Sequence, residues 1–296
     1  MQQRRMIILL SLFTLLLFLL KPGAVAAGVQ NALRICGGAI IPSLFVYAVM
    51  SGILVRVLRL DSGKRQRPPL LLFLLGALCG FPIGAQLCRD LYAGDEKVYP
   101  NAEWLAATVD LASPAFVIGA VGCGGFGSQK IGICIYLCQT IIAFIGYCLI
   151  RVDGQGSPKQ KSTTMSSFGE ILFASVESAV RAILNVCGLL CLFSALLSVL
   201  SDLPFISQRM ILPLAVLLEI GNGTALCAKL FAYSPALSVG LTAFCCGFSG
   251  LCVQLQISTA MKGFHLNSQK LLLYKLIMGI LCAAASIFCC KILGCY

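Results

Sequence analysis

The stretch Gly80-Phe81-Pro82-Ile83-Gly84-Ala85 breaks an apolar segment that runs over residues 70–92, and its reading decides the fold. A second break, Ala112-Ser113-Pro114, follows it in the next segment. The pair then recurs: Glu219-Ile220-Gly221-Asn222-Gly223-Thr224 is followed by Gly247-Phe248-Ser249-Gly250. Proline removes a helical hydrogen bond and clashes with the preceding turn, while glycine permits a sharp reversal. Hydrocarbon offers no water to the freed backbone groups. Such breaks are tolerated at membrane depth only where they are buried in protein or line a polar cavity. Interrupted segments in corresponding halves of a chain point to a transporter's binding site.

Composition supports the membrane setting. Of 296 residues, 59% are hydrophobic and only 11% charged, against about a quarter charged in a soluble domain. Apolar segments cover residues 6–27, 35–55, 70–92, 102–126, 131–150, 182–200, 210–231, 234–261 and 271–292. The chain therefore reads as an all-α polytopic membrane protein, one membrane domain over 1–296, with the lipid bilayer as its first partner. The polar stretch 151–167 is too short to bury a core of its own.

The net charge of +11 does not point to nucleic acid, because no basic face or aromatic platform accompanies it. The Lys and Arg residues lie mostly between apolar segments, which is the orientation signal of a membrane protein. The seventeen cysteines lie mostly within apolar segments, as at Cys134 and Cys138, Cys187 and Cys191, Cys245 and Cys246, and Cys289 and Cys290. With no Cys-x-x-Cys and a single histidine, His265, they read as small polarizable packing residues rather than metal ligands. No cofactor is expected. Paired carboxylates, a nucleophilic triad and a phosphate loop are all missing from the sequence, so an enzyme is not expected either.

The N-terminus admits two readings. Arg4-Arg5, an apolar run from Met6 to Leu20 and then Ala24-Val25-Ala26 imitate a cleavable signal peptide. A first transmembrane helix over 6–27 is preferred, since multi-spanning proteins rarely need a cleaved signal. The most basic connection, with Arg56, Arg59, Lys64, Arg65 and Arg67, is assigned to the cytoplasm together with Arg4 and Arg5. If all nine segments span, the loop carrying Arg151, Lys159 and Lys161 falls outside. If 70–92 and 210–231 are instead re-entrant hairpins, that loop moves inside, and so do Lys262, Lys270 and Lys275. The charge rule thus predicts seven spans plus two opposed re-entrant hairpins, with a cytoplasmic N-terminus and an external C-terminus.

The halves align. Starting from Gly80 and Glu219, Gly84 falls on Gly223, Leu87 on Leu226, Cys88 on Cys227, Leu91 on Leu230 and Tyr92 on Phe231; further on, Ser113-Pro114 falls on Ser249-Gly250. This predicts an inverted-topology repeat, with a first copy over 28–150 and a second over 168–293. A small-molecule site is expected at the breaks, from Gly80, Phe81, Pro82, Gly84, Ser113, Pro114, Asn222, Gly223, Gly247, Ser249 and Gly250. Gln254 and Gln256 lie one to two turns beyond the last break. Freed N–H groups at half-helix N-termini favour an anion, and Arg89 and Lys229 in the second hairpin legs attract one. The plain alternative for those two is snorkelling to an interface, or for Arg89 a local pair with Asp90. Ionisable residues inside a membrane are functional by default, which makes Asp110 and Glu219 candidates for proton or sodium coupling. The stretch 168–181 is amphipathic and reads as an interfacial helix or, more plainly, as an extension of the next span, with Glu177 and Arg181 spaced as a helical pair. Oligomerisation is left open.

At these motifs the chain resembles the sporulation integral membrane protein YlbJ family, whose members carry the gate-type nucleoside recognition fold. The matching residues are Ile41-Pro42-Ser43-Leu44-Phe45, the run from Cys79 to Ala85, Ser113 to Val121, Leu218 to Gly223, and Gly247 to Gln256. The resemblance covers nearly the whole chain, and the Gly-Phe-Pro-x-Gly-Ala and Gly-Phe-Ser-Gly blocks are its most specific parts. It implies a transporter of endospore-forming bacteria. The family's best-understood member moves dipicolinic acid, a small aromatic dicarboxylate, from the mother cell across the outer forespore membrane. The chain departs from the pattern at Asp110-Leu111-Ala112-Ser113, where the family is more polar and places Gly before the proline; this bears on substrate more than on fold. Two other functions stay open: a nucleoside or other metabolite carrier of the same fold coupled to protons or sodium, and a non-transporting scaffold of the spore envelope.

Overall fold

The computed structural model describes residues 2–59, 70–92, 101–150, 167–264 and 266–296. Lys64, Arg65, Arg67, Arg151, Lys159, Lys161 and His265 lie outside them, and so does the side chain of Asp90. The described residues are helical throughout their ordered elements, with no strand among them. Helix α1 spans Gln2–Leu20 and α2 Pro22–Ile35; a π-helical stretch, Cys36–Ile40, joins α2 to α3, Ile41–Arg59. Then come α4 (Leu70–Cys79), α5 (Ile83–Tyr92), α6 (Ala102–Val109), a π-helical stretch Ala115–Gly125, and α7 (Gln129–Cys148). The second half holds α8 (Phe168–Ser201), α9 (Gln208–Leu218), α10 (Ile220–Ala228), α11 (Pro235–Phe248), α12 (Gly250–Ala260) and α13 (Ser268–Ile292).

Segment 6–27 is not one helix. Residues Arg4–Leu20 and Pro22–Gly38 meet at 99°. Pro22 has no N–H and disfavours the α conformation at the residue before it, and Lys21 accordingly takes φ −131° and ψ 55°. The Lys21 ammonium lies 2.9 Å from the Asp202 carboxylate just past α8, which pins the corner. From Met6 to Leu20 the large side chains of α1 are exposed on nearly every side, as on a helix surrounded by lipid. The stretch 168–181 is the plain first part of α8. Ser167 and Glu170 close a capping box there, and Glu177 and Arg181 pair at 2.6 Å.

Four helices among the described residues are long and apolar enough to cross a bilayer: α7, α8, the collinear α11–α12 pair over Pro235–Ala260, and α13. The bent N-terminal pair raises the number to five if it counts as one span. This makes the chain a helical membrane protein with four or five such spans among the described residues. Leu44–Val57, Leu70–Cys79 and Ala115–Gly125 are shorter apolar helical stretches among the described residues.

Breaks turn two segments back on themselves. Gly76 and Gly84 stand four residues before and after Gly80, and both face the same atom: a Cβ added at either would lie 2.1 or 2.3 Å from the Val109 carbonyl oxygen. Two residues eight apart meet one atom only if the chain reverses between them. Similarly, a Cβ at Gly223 would stand 3.1 Å from Ala215 and Val216, across Glu219. α4 and α5 therefore form one hairpin, and α9 and α10 another. Most of the buried apolar side chains form a single cluster contributed by both halves, while Ala32, Cys36 and Leu190 join α2 to α8.

Gly84 has no room for a methyl group. Gly84→Ala is expected to destabilise the protein by about 1–3 kcal/mol, the cost of overpacking a tight contact. Thermal unfolding in detergent checks this; a transition unchanged from the wild type would contradict the hairpin contact.

Candidate functional site

The first pair of breaks forms one junction. Gly80 takes φ +81°, open to glycine alone without strain, and a Cβ there would strike Ser113 at 2.7 Å. The unwound residues after α6 expose four carbonyls, and each is satisfied. The Lys275 ammonium donates to the Asp110 carbonyl at 2.6 Å, Phe81 N–H to Leu111 at 2.9 Å, Gln139 Nε2 to Ala112 at 3.0 Å, and Val117 N–H to Ser113 at 2.9 Å. This is what a membrane interior demands of a broken helix. The Asp110 carboxylate turns to the start of α5, where Oδ1 accepts from Ala85 N–H at 3.1 Å. Its Oδ2 is buried without a hydrogen-bond partner among the described residues. Asp110 and Lys275 are both 0% exposed.

The second pair repeats the arrangement with a different donor of charge. Glu219, also buried, caps α10 with its own side chain. Oε1 accepts from Gly221 N–H at 2.5 Å, and Oε2 accepts from Asn222 N–H at 2.7 Å and Asn222 Nδ2 at 2.9 Å. Asn222 Nδ2 also donates to Ser194 Oγ on α8 at 2.8 Å, and Asn31 on α2 donates to Asn222 Oδ1 at 3.3 Å. The later break lies against this one: Gly250, at φ +72°, leaves only 3.1 Å between an added Cβ and the Leu218 carbonyl. Ser249 is a non-glycine residue at φ +69°, fully buried, its hydroxyl donating to Cys246 O at 3.2 Å. Thus Gly80 meets Ser113 in one half, and Glu219 meets Gly250 in the other.

These contacts correct one expectation. The N-termini of α5 and α10 are not open to an anion, because Asp110 and Glu219 already occupy them. Phe81, Pro114, Gly223, Gly247, Ser249 and Gly250 serve the junctions and their packing. Gly247 fits α11 against α13, where an added Cβ would meet Gly279 Cα at 2.9 Å. Lys275 corrects a second expectation. Its charge reads from the sequence as a cytoplasmic orientation signal, whereas the structure buries it completely.

A cavity of about 320 Å³ opens beside the first junction, between α5, α8 and α12. Pro82 stands at its edge, and Arg89, Gln86, Arg181, Asn185 and Gln256 bring polar groups to it. Gln86, Arg89 and Gln256 come from helices that begin at the two breaks, one in each half. Of the residues singled out in the sequence, Pro82, Arg89 and Gln256 line this cavity. Gln254 does not, for two residues on a helix point to nearly opposite sides; it is buried elsewhere with Nε2 unpartnered. Lys229 is exposed past α10. Sequence reading missed Gln86, Asn185 and Gln139, which have no signal in an apolar segment. It had Arg181 only as the partner of Glu177.

The comparisons give one kind of relative. The chain is similar to the sporulation integral membrane protein YlbJ of Bacillus subtilis (strain 168), with 25% identity over 248 residues, taking in 71% of this chain and 60% of the relative. It thus spans about 60% of the length of that curated relative. No family model and no solved structure matches it. The chain therefore resembles the YlbJ family in a curated relative as well as in the broken motifs it carries.

Proposed function

We propose that the protein is a sporulation-related membrane transporter of a small anionic metabolite, with dipicolinic acid as the substrate. The observation that carries this reading is the convergence of Arg89 and Arg181 on one cavity with the amides of Gln86, Asn185 and Gln256. Guanidinium groups bind carboxylates by paired, charge-assisted hydrogen bonds, and two of them in one cavity suit a dicarboxylate. A volume of about 320 Å³ suits a single small ring compound and not a macromolecule. The name of the Bacillus subtilis relative supports the sporulation setting.

The paired junctions support the finer architecture of seven spans and two opposed hairpins, in two inverted copies over 28–150 and 168–293 with a cytoplasmic N-terminus. Gly80 aligns with Glu219, and Ser113-Pro114 with Ser249-Gly250; within each half the earlier break touches the later one. Helices α5 and α12, which each follow a break and come from different halves, face each other across the cavity. Rocking one copy against the other would open the cavity to either side in turn.

A second reading, a metabolite or nucleoside carrier coupled to protons or sodium, is favoured by the buried Asp110 and Lys275. They link α13 of one half to the junction of the other. Asp110 Oδ2 has no hydrogen-bond partner among the described residues, and a charge moved there would act on the contact between the halves. The scaffold reading has no comparable observation behind it.

Uptake of labelled dipicolinate into proteoliposomes tests the first reading. Each of Arg89→Ala and Arg181→Ala removes a charge-assisted bond of about 1.5–3 kcal/mol, so uptake at low substrate concentration is expected to fall about tenfold or more. Full uptake by both variants would overturn the anion site, and no uptake by the wild type would leave the scaffold reading. For coupling, Asp110→Asn is expected to abolish acceleration by an imposed proton or sodium gradient while substrate binding persists. Gradient-driven uptake that survives in Asp110→Asn would remove Asp110 from that role.

A further inference from the structure

Thiols converge where α7 packs on α13. Cys134 and Cys138 are four apart on α7, so they stack on one face of it; Ser286, Cys289 and Cys290 have the matching spacing on α13. Where these faces meet, the sulfurs of Cys134, Cys138 and Cys289 all lie within 4.8 Å of one another. Cys290 reaches Cys134, and Cys295 reaches Cys290. All five are free thiols. Ser286 is 0% exposed and stands beside Cys138. Its hydroxyl has no well-formed hydrogen bond among the described residues. Ordinary packing accounts for a buried thiol. It does not account for three sulfurs directed at one point with an orphaned hydroxyl next to them, because an unsatisfied buried hydroxyl costs stability.

We propose that Cys134, Cys138 and Cys289 form a binding site for a thiophilic divalent cation of the zinc and cadmium class, with Ser286 Oγ as the fourth donor. Metal–sulfur bonds of about 2.3 Å in a tetrahedron place the sulfurs about 3.8 Å apart. The three sulfurs need close by no more than about 1 Å to reach that geometry, within the reach of small rotamer changes. The three thiols give up their protons to become thiolates, the form in which cysteine holds such a cation, while the Ser286 hydroxyl coordinates as a neutral donor. The cation offsets two of the three thiolate charges, and each cation bound releases three protons. Half-exposed Cys289 gives the ion its way in. The site lies apart from the Arg89–Arg181 cavity and does not depend on the transport reading. It also revises the reading of these cysteines as packing alone.

Cadmium is the probe, added to the reduced full-length protein in detergent. The wild type is expected to develop thiolate-to-cadmium charge-transfer absorption, to release three protons per ion, and to protect Cys289 from alkylation as mapped by mass spectrometry. Cys138→Ser combined with Cys289→Ser is expected to bind one cation fewer, or to bind it at least about a hundredfold more weakly, more than the loss of an outer partner costs. Cys123→Ser, at an exposed cysteine outside the cluster, is expected to match the wild type. The alkylation arm needs no variant, so it stands even if the double variant fails to fold. Unchanged alkylation of Cys289 with cadmium, or equal uptake by the wild type and a folded double variant, would overturn the site. So would an equal loss in Cys123→Ser.

Discussion

The Lys275 ammonium rests on the Asp110 carbonyl at 2.6 Å, both residues fully buried, and the rest of the structure depends on that contact. A lysine in the middle of an apolar span is costly unless it is paired. An unwound stretch of backbone in the same surroundings is costly unless each carbonyl finds a donor. Here each cost offsets the other. Lys275 supplies a donor where the helix gives out, and the open backbone and nearby carboxylate of Asp110 supply the lysine with partners. The contact ties α13 of the second half to the broken segment of the first.

Both hairpins follow the same physical rule by different means. A helix that starts in hydrocarbon has N–H groups with no helical acceptor and a positive end to its dipole. In the second half, Glu219 meets that need locally, from the residue just before α10. In the first half the need is met at long range, by Asp110 from the next segment reaching Ala85. Both helix starts are thus occupied by the protein's own carboxylates, and the guanidinium groups of Arg89 and Arg181 stand apart from them, at the cavity beside α5 and α8.

Much of the fold is legible in the sequence because proline and glycine act locally. Gly80-Phe81-Pro82 and Ser249-Gly250 break helices where they stand. Capping at Ser167 and Glu170 is equally local. The corner at Lys21-Pro22 was missed, because a long apolar run concealed the restriction that proline places on the residue before it. Three parts of the site were not legible. Lys275 looks like a loop charge when counted for topology, and only the packing of α13 on the unwound residues 110–113 shows it to be internal. Asp110 and Glu219 stand out as intramembrane acids, yet nothing in the sequence says that they cap helices. Gln86 and Asn185 are ordinary polar residues until α5 and α8 come together across the cavity.

A double-mutant cycle on Asp110→Asn and Lys275→Met, read by unfolding in detergent, tests the central claim most directly. Both substitutions preserve shape while removing one charge each. The account predicts that each single variant is strongly destabilised and that the double variant loses less than their sum, leaving a coupling of about 0.5–3 kcal/mol. Additive losses would contradict it, for the Asp110 carboxylate would then do nothing to hold the Lys275 ammonium at the junction.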